Sequence, residues 1–159
     1  MLGFRIAAGA TMAALQVLGI ATPEARAGDC PAGKLVASGQ GQKPGATKPE
    51  GATDTVIGQI DVAKEAVQIE DRPFRLRRLE IAPGGEVPWH EHKDRPPIIY
   101  VKNTVIEYSR DCAVPIVHKA GDVSAETQGV AQWWKNTGKE TVMLISADLL
   151  KVASDPNVM

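Results

Sequence analysis

The chain has 159 residues, with 18 basic and 19 acidic side chains and a formal net charge of −1. That length suits one compact domain. The balanced charge carries no basic stripe or aromatic-rich basic patch, which argues against nucleic acid as a partner.

The first segment reads as an export signal. Arg5 precedes an apolar run from Ile6 to Thr22, followed by Pro23 and by Ala25-Arg26-Ala27. A positive start, an apolar middle and an A-x-A-like end, in that order, mark a signal peptide. The run, about 17 residues and interrupted by Gln16, is short for a membrane span. Cleavage is expected after Ala27, with delivery to the periplasm or outside the cell and no membrane association afterwards. Asp29 stands where a lipoprotein signal needs a small residue, so lipid attachment at Cys30 is not expected. An oxidising destination makes a disulfide between Cys30 and Cys112, the two cysteines of the chain, a reasonable expectation.

Residues 28–53 read as a flexible arm. Gly28, Gly33, Gly39, Gly41, Gly45 and Gly51 interrupt it, with Pro31, Pro44 and Pro49, and its one apolar pair is Leu35-Val36. Such a composition buries too little surface to offset chain entropy. The barrel proper is expected over 54–151, with 152–159 as a tail.

From Val56 onward the chain reads as short strands between turn signals: 56–60, 66–69, 74–81, a histidine-bearing strand after Pro83-Gly84-Gly85, 98–101, 104–109, 114–117, 131–136 and 142–150. The apolar phase slips between Leu76 and Leu79, which suggests a bulge. Arg72, Arg75, Arg77 and Arg78 between Asp71 and Glu80 read as a solvated strand face. No segment keeps a helical period, so the class is all-β, a sandwich or closed barrel.

The chemistry-bearing stretch is Gly84-Gly85-Glu86-Val87-Pro88-Trp89-His90-Glu91-His92. Residues at i and i+2 of a strand project to one side, so His90 and His92 share a face and Trp89 and Glu91 take the other. Paired imidazoles on one strand face are a natural start for a metal site. In the second half Gly121-Asp122 makes a turn, and Gln132, Trp134 and Asn136 share a face opposite Trp133. No Ser-His-Asp set, phosphate-cradling loop or redox cysteine spacing is present.

At these residues the chain resembles the cupins, in particular small single-domain members with a jelly-roll, or double-stranded β-helix, barrel. Their first motif is Gly, five residues, His-x-His, three or four residues, Glu, six residues, Gly; Gly84, His90 and His92 fall in register. Their second is Gly, five residues, Pro-x-Gly, two residues, His, three residues, Asn; Gly121, Gly129 and Asn136 match it. The resemblance spans about residues 55–150 and implies an interior site for a divalent metal and a small-molecule ligand. It also places the family's Glu on Pro96 or Pro97 and its second-motif His on Gln132, while Asn103 and Thr127 replace a Gly and a Pro. The metal set it implies is His90, His92 and Gln132, with Glu86, Glu126 or Asp94 able to join if loops fold inward. Trp134, Asn136 and Tyr100 are expected to line the cavity. His118 reads as a surface residue. Trp89 and Trp133, facing outward, are expected under the arm or against a second subunit, as a homodimer would provide. Two functions remain open: a binding module for a small organic ligand, or a metal-dependent dioxygenase or isomerase.

Overall fold

The computed structural model describes residues 30–151; the expected signal peptide and C-terminal tail lie outside them. Eight strands follow in order: β1 (Glu50–Ile60), β2 (Phe74–Glu91), β3 (Pro97–Val101), β4 (Val105–Ser109), β5 (Ile116–His118), β6 (Val123–Ala125), β7 (Ala131–Lys135) and β8 (Val142–Leu149). They form one antiparallel sheet in the order β5-β4-β7-β2-β8-β3-β6, with β1 also paired to β2. The all-β jelly-roll expectation holds.

Strand β2 organises the barrel. Its first half, Phe74 to Ile81, pairs with β8, and its second half, Glu86 to Glu91, pairs with β7. Pro83-Gly84-Gly85 is therefore a bend inside one long strand rather than a turn between two. Gly84 takes a left-handed φ of 77° there. At Gly85 a Cβ would lie 2.8 Å from Glu50 O and 2.9 Å from Gly51 O, so only glycine admits the approach of β1. That approach lets β1 begin at Glu50, within the stretch read as arm.

Alternation along β2 and β8 sets the interior. Leu79, Ile81, Val142 and Leu144 join Val87, Ile99, Val101, Val105 and Trp134 in the apolar cluster. The bulge expected in this strand between Leu76 and Leu79 is not in β2, since Phe74–Ile81 keeps an unbroken register with β8; the irregularity there belongs to β1, where Ile57 is the extra residue between the Val56–Arg77 and Gly58–Leu76 pairs. The strand alternates strictly, and its inward residues at this end are Arg75 and Arg77, each 4% exposed. The solvated-face reading of these arginines is thus corrected. Both are buried because Asp148 lies opposite: it takes two bonds of 2.9 Å from Arg75, and Arg77 Nε lies 2.9 Å from it. Arg77 also bonds Asp54 of β1. Buried charges persist when paired and hydrogen-bonded in this way.

The expected strand at 66–69 is replaced by a 3-10 turn at Val62–Lys64 and by left-handed residues Gln68 and Asp71. The segment before β1 lies along the barrel. A disulfide joins Cys30 to Cys112, with Cα atoms 5.6 Å apart. The N–H groups of Val36, Gly41 and Gln42 donate to the carbonyls of Asp111, Arg110 and Ser109. Trp133 stacks on Tyr108 with centroids 4.0 Å apart and donates through Nε1 to Lys43 O at 2.9 Å. A Cβ at Gly45 would enter the Trp133 ring at 2.6 Å, so the arm covers this outward tryptophan through a glycine.

Candidate metal site

The histidines sit at the end of β2 that pairs with β7. There Val87 faces Trp134 but His90 faces Gln132, so β2 carries one extra residue, a bulge at Pro88-Trp89. Proline suits a bulge because it has no N–H to give to the ladder. The extra residue turns both Val87 and His90 inward. His92 follows on the same side, and the two rings meet edge to face with centroids 4.7 Å apart.

Each imidazole has its tautomer set by a backbone carbonyl. His90 Nδ1 lies 2.8 Å from Pro88 O, and His92 Nδ1 lies 3.0 Å from Arg95 O. A carbonyl only accepts, so Nδ1 carries a proton in both rings; Nε2 of neutral His90 keeps its lone pair, and Nε2 of His92 faces the Glu126 carboxylate. The third member is Glu126, just after β6 and 1% exposed. Its N–H donates to Pro97 O at 2.9 Å. His92 Nε2 and Glu126 Oε2 come within 2.5 Å, yet neither atom has a well-aligned hydrogen-bond partner. The ligand atoms of His90, His92 and Glu126 all lie within 4.8 Å of one another. In the metal-free protein this close pair shares a proton, and a cation displacing that proton fits the site, met by donor atoms from all three residues.

Electrostatics agrees with that fit. Burial, then the neighbouring His92, pushes His90 down to about 4. For His92 burial acts downward but the Glu126 carboxylate outweighs it and carries the value up. Burial raises Glu126, and the two histidines more than offset it, leaving the carboxyl below its usual range. At neutral pH His90 is therefore a neutral donor and Glu126 an ionised one.

The structure redistributes the roles expected from sequence. Gln132 is fully buried and opposite His90, but its Nε2 donates to Glu126 Oε1. It clamps the carboxylate while its own Oε1 has no partner. Glu86 is elsewhere, bonded to Lys135 at 2.7 Å. Asp94 is not in the group; its carbonyl accepts from Arg72 at 3.0 Å. Trp134 is buried in the core and stacks on His118.

Asn136 shares the expected face but not the site. It is consumed by the backbone, donating to Ile81 O at 2.8 Å and Glu140 O at 2.7 Å. Tyr100 does not line the cavity: it is 46% exposed, because Pro97, Ile99 and Val101 are the inward residues of β3. His118 is not on the surface either. It is 5% exposed, with Nε2 2.8 Å from Glu107 Oε2. Sequence reasoning missed Glu107, although its parity with the apolar Val105 was a signal. It also missed Arg95, whose Nη1 lies 3.4 Å from Asp148 while its carbonyl orients His92.

No family model matches the chain, and no curated protein matches it. Solved structures do. The polyketide cyclase RemF from Streptomyces resistomycificus superposes with a TM-score of 0.54 at 18% identity, covering 78% of this chain and 84% of that one. A predicted oxalate decarboxylase from Thermotoga maritima gives 0.51 at 20% identity, covering 73% and 99%. The cupin domain of Cnp3 from Schizosaccharomyces pombe gives 0.50 at 16% identity, covering 67% of each chain. The barrel is a cupin fold, and at these identities the likeness extends to the fold alone.

Proposed function

We propose that this cupin-fold protein is an exported module that holds a divalent metal ion at His90, His92 and Glu126 and binds a small organic ligand beside it. The observation that carries the reading is the convergence of three lone-pair donors in a buried setting, with both imidazole tautomers preset by carbonyls. Two imidazoles and one carboxylate suit a first-row divalent ion and leave coordination positions for a ligand. Such an ion, when bound, polarises the ligand atom it touches.

The remaining work falls to the chain itself. Pro88 and Arg95 orient the rings through their carbonyls, and Gln132 holds Glu126. Groups that orient metal ligands in this way usually matter to affinity almost as much as the ligands. Export is supported by the signal-like start and by the Cys30–Cys112 bridge, since disulfides persist in oxidising compartments. A homodimer is supported by the outer face of β2, β3, β6 and β8, where Leu76, Ile98, Tyr100 and Val123 are 39–59% exposed.

A second reading, a metal-dependent enzyme acting on a small molecule, is favoured by one observation. A carboxylate completes the pair of histidines, as the two-His-one-carboxylate sites of many metalloenzymes require.

Metal analysis of the purified protein tests the shared premise. Stoichiometric iron, manganese, cobalt, nickel, copper or zinc is expected, and its loss in the His90→Ala, His92→Ala double variant. A protein that takes up none of these ions on dialysis would refute the proposal.

A further inference from the structure

The end of the barrel away from the histidines holds a cavity of its own. The chain along β7 runs from Gln132, opposite His90, to Asn136, about 13 Å further on at the rise of a strand. Strand β3 likewise leads from Pro97, bonded to Glu126, to Val101. Past these far ends, the β3–β4 and β7–β8 loops and Ala120 enclose a cavity of about 490 Å³. Small-molecule sites commonly measure about 300–1,000 Å³. Trp134, midway between Gln132 and Asn136 and buried in the apolar cluster, separates the two ends.

Side chains bonded to the backbone fix its walls. Asn136, 0% exposed, donates to Ile81 O and Glu140 O and accepts from Gly138 N–H at 2.9 Å, which ties the β7–β8 loop to the barrel. Asn103 Oδ1 accepts from Met143 N–H at 3.2 Å and ties the β3–β4 loop to β8. Gly121, with a φ of 95°, turns the chain beside Ala120 and donates to Val101 O at 2.8 Å. Asn103, Gly121 and Asn136 all fall on motif positions, yet none belongs to the three-donor group; they build this cavity instead. The charged groups are what the framework leaves over. Lys102 and Lys139 line the cavity from different loops, together with Thr104 and Glu140, and all four are exposed. Among the described residues, no hydrogen bond or ion pair engages any of these four side chains. Two ammoniums against one carboxylate give the hollow a net positive charge, which concentrates anions.

We propose that this cavity is a second binding site, independent of the metal group, and that its ligand is a small acidic amino acid. Charge complementarity sets the class. Lys102 and Lys139, on separate loops, each take one carboxylate, and the Glu140 carboxylate takes the ammonium. The ligand thus mirrors the lining, with two negative groups and one positive. Thr104 supplies a hydroxyl donor to a carboxylate oxygen, and Val142, 2% exposed, is the apolar floor under the ligand's short carbon chain. Because the loops are already tied down, binding does not have to order them.

Glutamate, glutamine and glutarate are the probes, since glutamine lacks one carboxylate of glutamate and glutarate lacks its ammonium. Each is titrated in the millimolar range while backbone amide signals are followed by NMR. Glutamate is expected to shift the amides of residues 102–104 and 138–140 saturably. It should bind at least about tenfold more tightly than glutamine and about threefold more tightly than glutarate. Lys102→Gln with Lys139→Gln should weaken glutamate at least about tenfold, and Glu140→Gln should make glutarate the tighter ligand. All three side chains are exposed, so these variants keep the fold. Glutamate that causes no saturable shift at the two loops overturns the proposal, as does equal binding of glutamine or glutarate. An affinity that survives loss of both lysines, or a glutamate preference that survives Glu140→Gln, also overturns it. The constants should be the same before and after dialysis against a chelator. Shifts centred on His90 and His92, or binding that needs metal, would put the ligand at the other end and overturn the second site while leaving the metal reading intact.

Discussion

Glu126 stands across the β3–β6 pair from Pro97, its N–H bonded to the Pro97 carbonyl at 2.9 Å. Cross-strand neighbours project to the same side of a sheet. The motif resemblance puts the family's carboxylate at Pro96 or Pro97, and here the adjacent strand brings one to that place. Glu126 is held in turn by Gln132, the residue on which the motif resemblance places a third imidazole. Two departures that look independent along the chain are one bonded pair in space. Glu126→Gln is therefore expected to weaken nickel binding at least about tenfold, or about 1.4 kcal/mol. Gln132→Leu, which removes the clamp, should weaken it about tenfold as well. Gln132→His, by adding an imidazole opposite His90, should restore or exceed the parent affinity. Calorimetric titration of the four proteins checks this, and unchanged affinity in Glu126→Gln removes that residue from the site.

The pH dependence of the metal-free protein follows from His90. Its folded value of about 4 lies below the ordinary 6.5, so between these limits the unfolded chain takes up a proton that the folded chain refuses. Stability falls as pH drops through that window. His92, raised by Glu126, acts oppositely: its contribution is full below 6.5 and is lost as pH rises through its folded value. Glu126, lowered by the histidines, contributes above 4.5 and is lost as pH falls through its folded value. His90→Gln removes the first effect, and its second consequence, a weaker lowering of Glu126, acts below 4.5 and so outside the pH window compared. Urea midpoints at pH 7 and pH 5 should show the parent losing about 1–2 kcal/mol more than the variant. Parallel pH profiles would contradict the assignment.

Asp148 is ringed by Arg75, Arg77 and Arg95 at 2.9 to 3.4 Å and is 1% exposed. Removing one partner of a buried ionic cluster leaves uncompensated charge, at about 3–5 kcal/mol. Asp148→Asn is expected to destabilise by that order in urea melts. Because Arg95 also orients His92, metal affinity should fall in the same variant. A change under about 1 kcal/mol would mean that the guanidiniums are solvated.

The Cys30–Cys112 bridge spans 82 residues of chain. A closure of that length stabilises by about 2–4 kcal/mol in typical cases. Cys30→Ser with Cys112→Ser should lower the melting temperature accordingly, and so should reduction of the parent. Mass spectrometry of the exported protein should find Gly28 as its first residue with both thiols bonded. A mature chain retaining Met1 would refute export.

Leu76, Ile98, Tyr100 and Val123 lie on the outer side of the sheet that encloses the core. If a second copy covers them, Ile98→Glu with Tyr100→Glu should turn a dimer into a folded monomer. Light scattering of the parent at tens of micromolar is the check, and a monomer there would argue against dimerisation.

The barrel class, most strand positions and the common face of His90 and His92 were legible in the chain. They depend on local periodicity and on turn residues such as Gly84 and Gly121, which act within a few bonds of where they stand. Periodicity also says which residues share a face, but it does not say which face is inside. Apolarity alone puts Arg75 and Arg77 in solvent and Tyr100 inside, the reverse of what the folded sheet has. Burial of Arg75 is decided instead by Asp148, 73 positions away. The same holds for His118, drawn inside by Glu107, and for Glu126, which reaches the histidines only because β6 pairs with β3. A side chain's alternation belongs to its own strand, whereas its partner is chosen by register between strands far apart in sequence, and only the folded sheet carries that register.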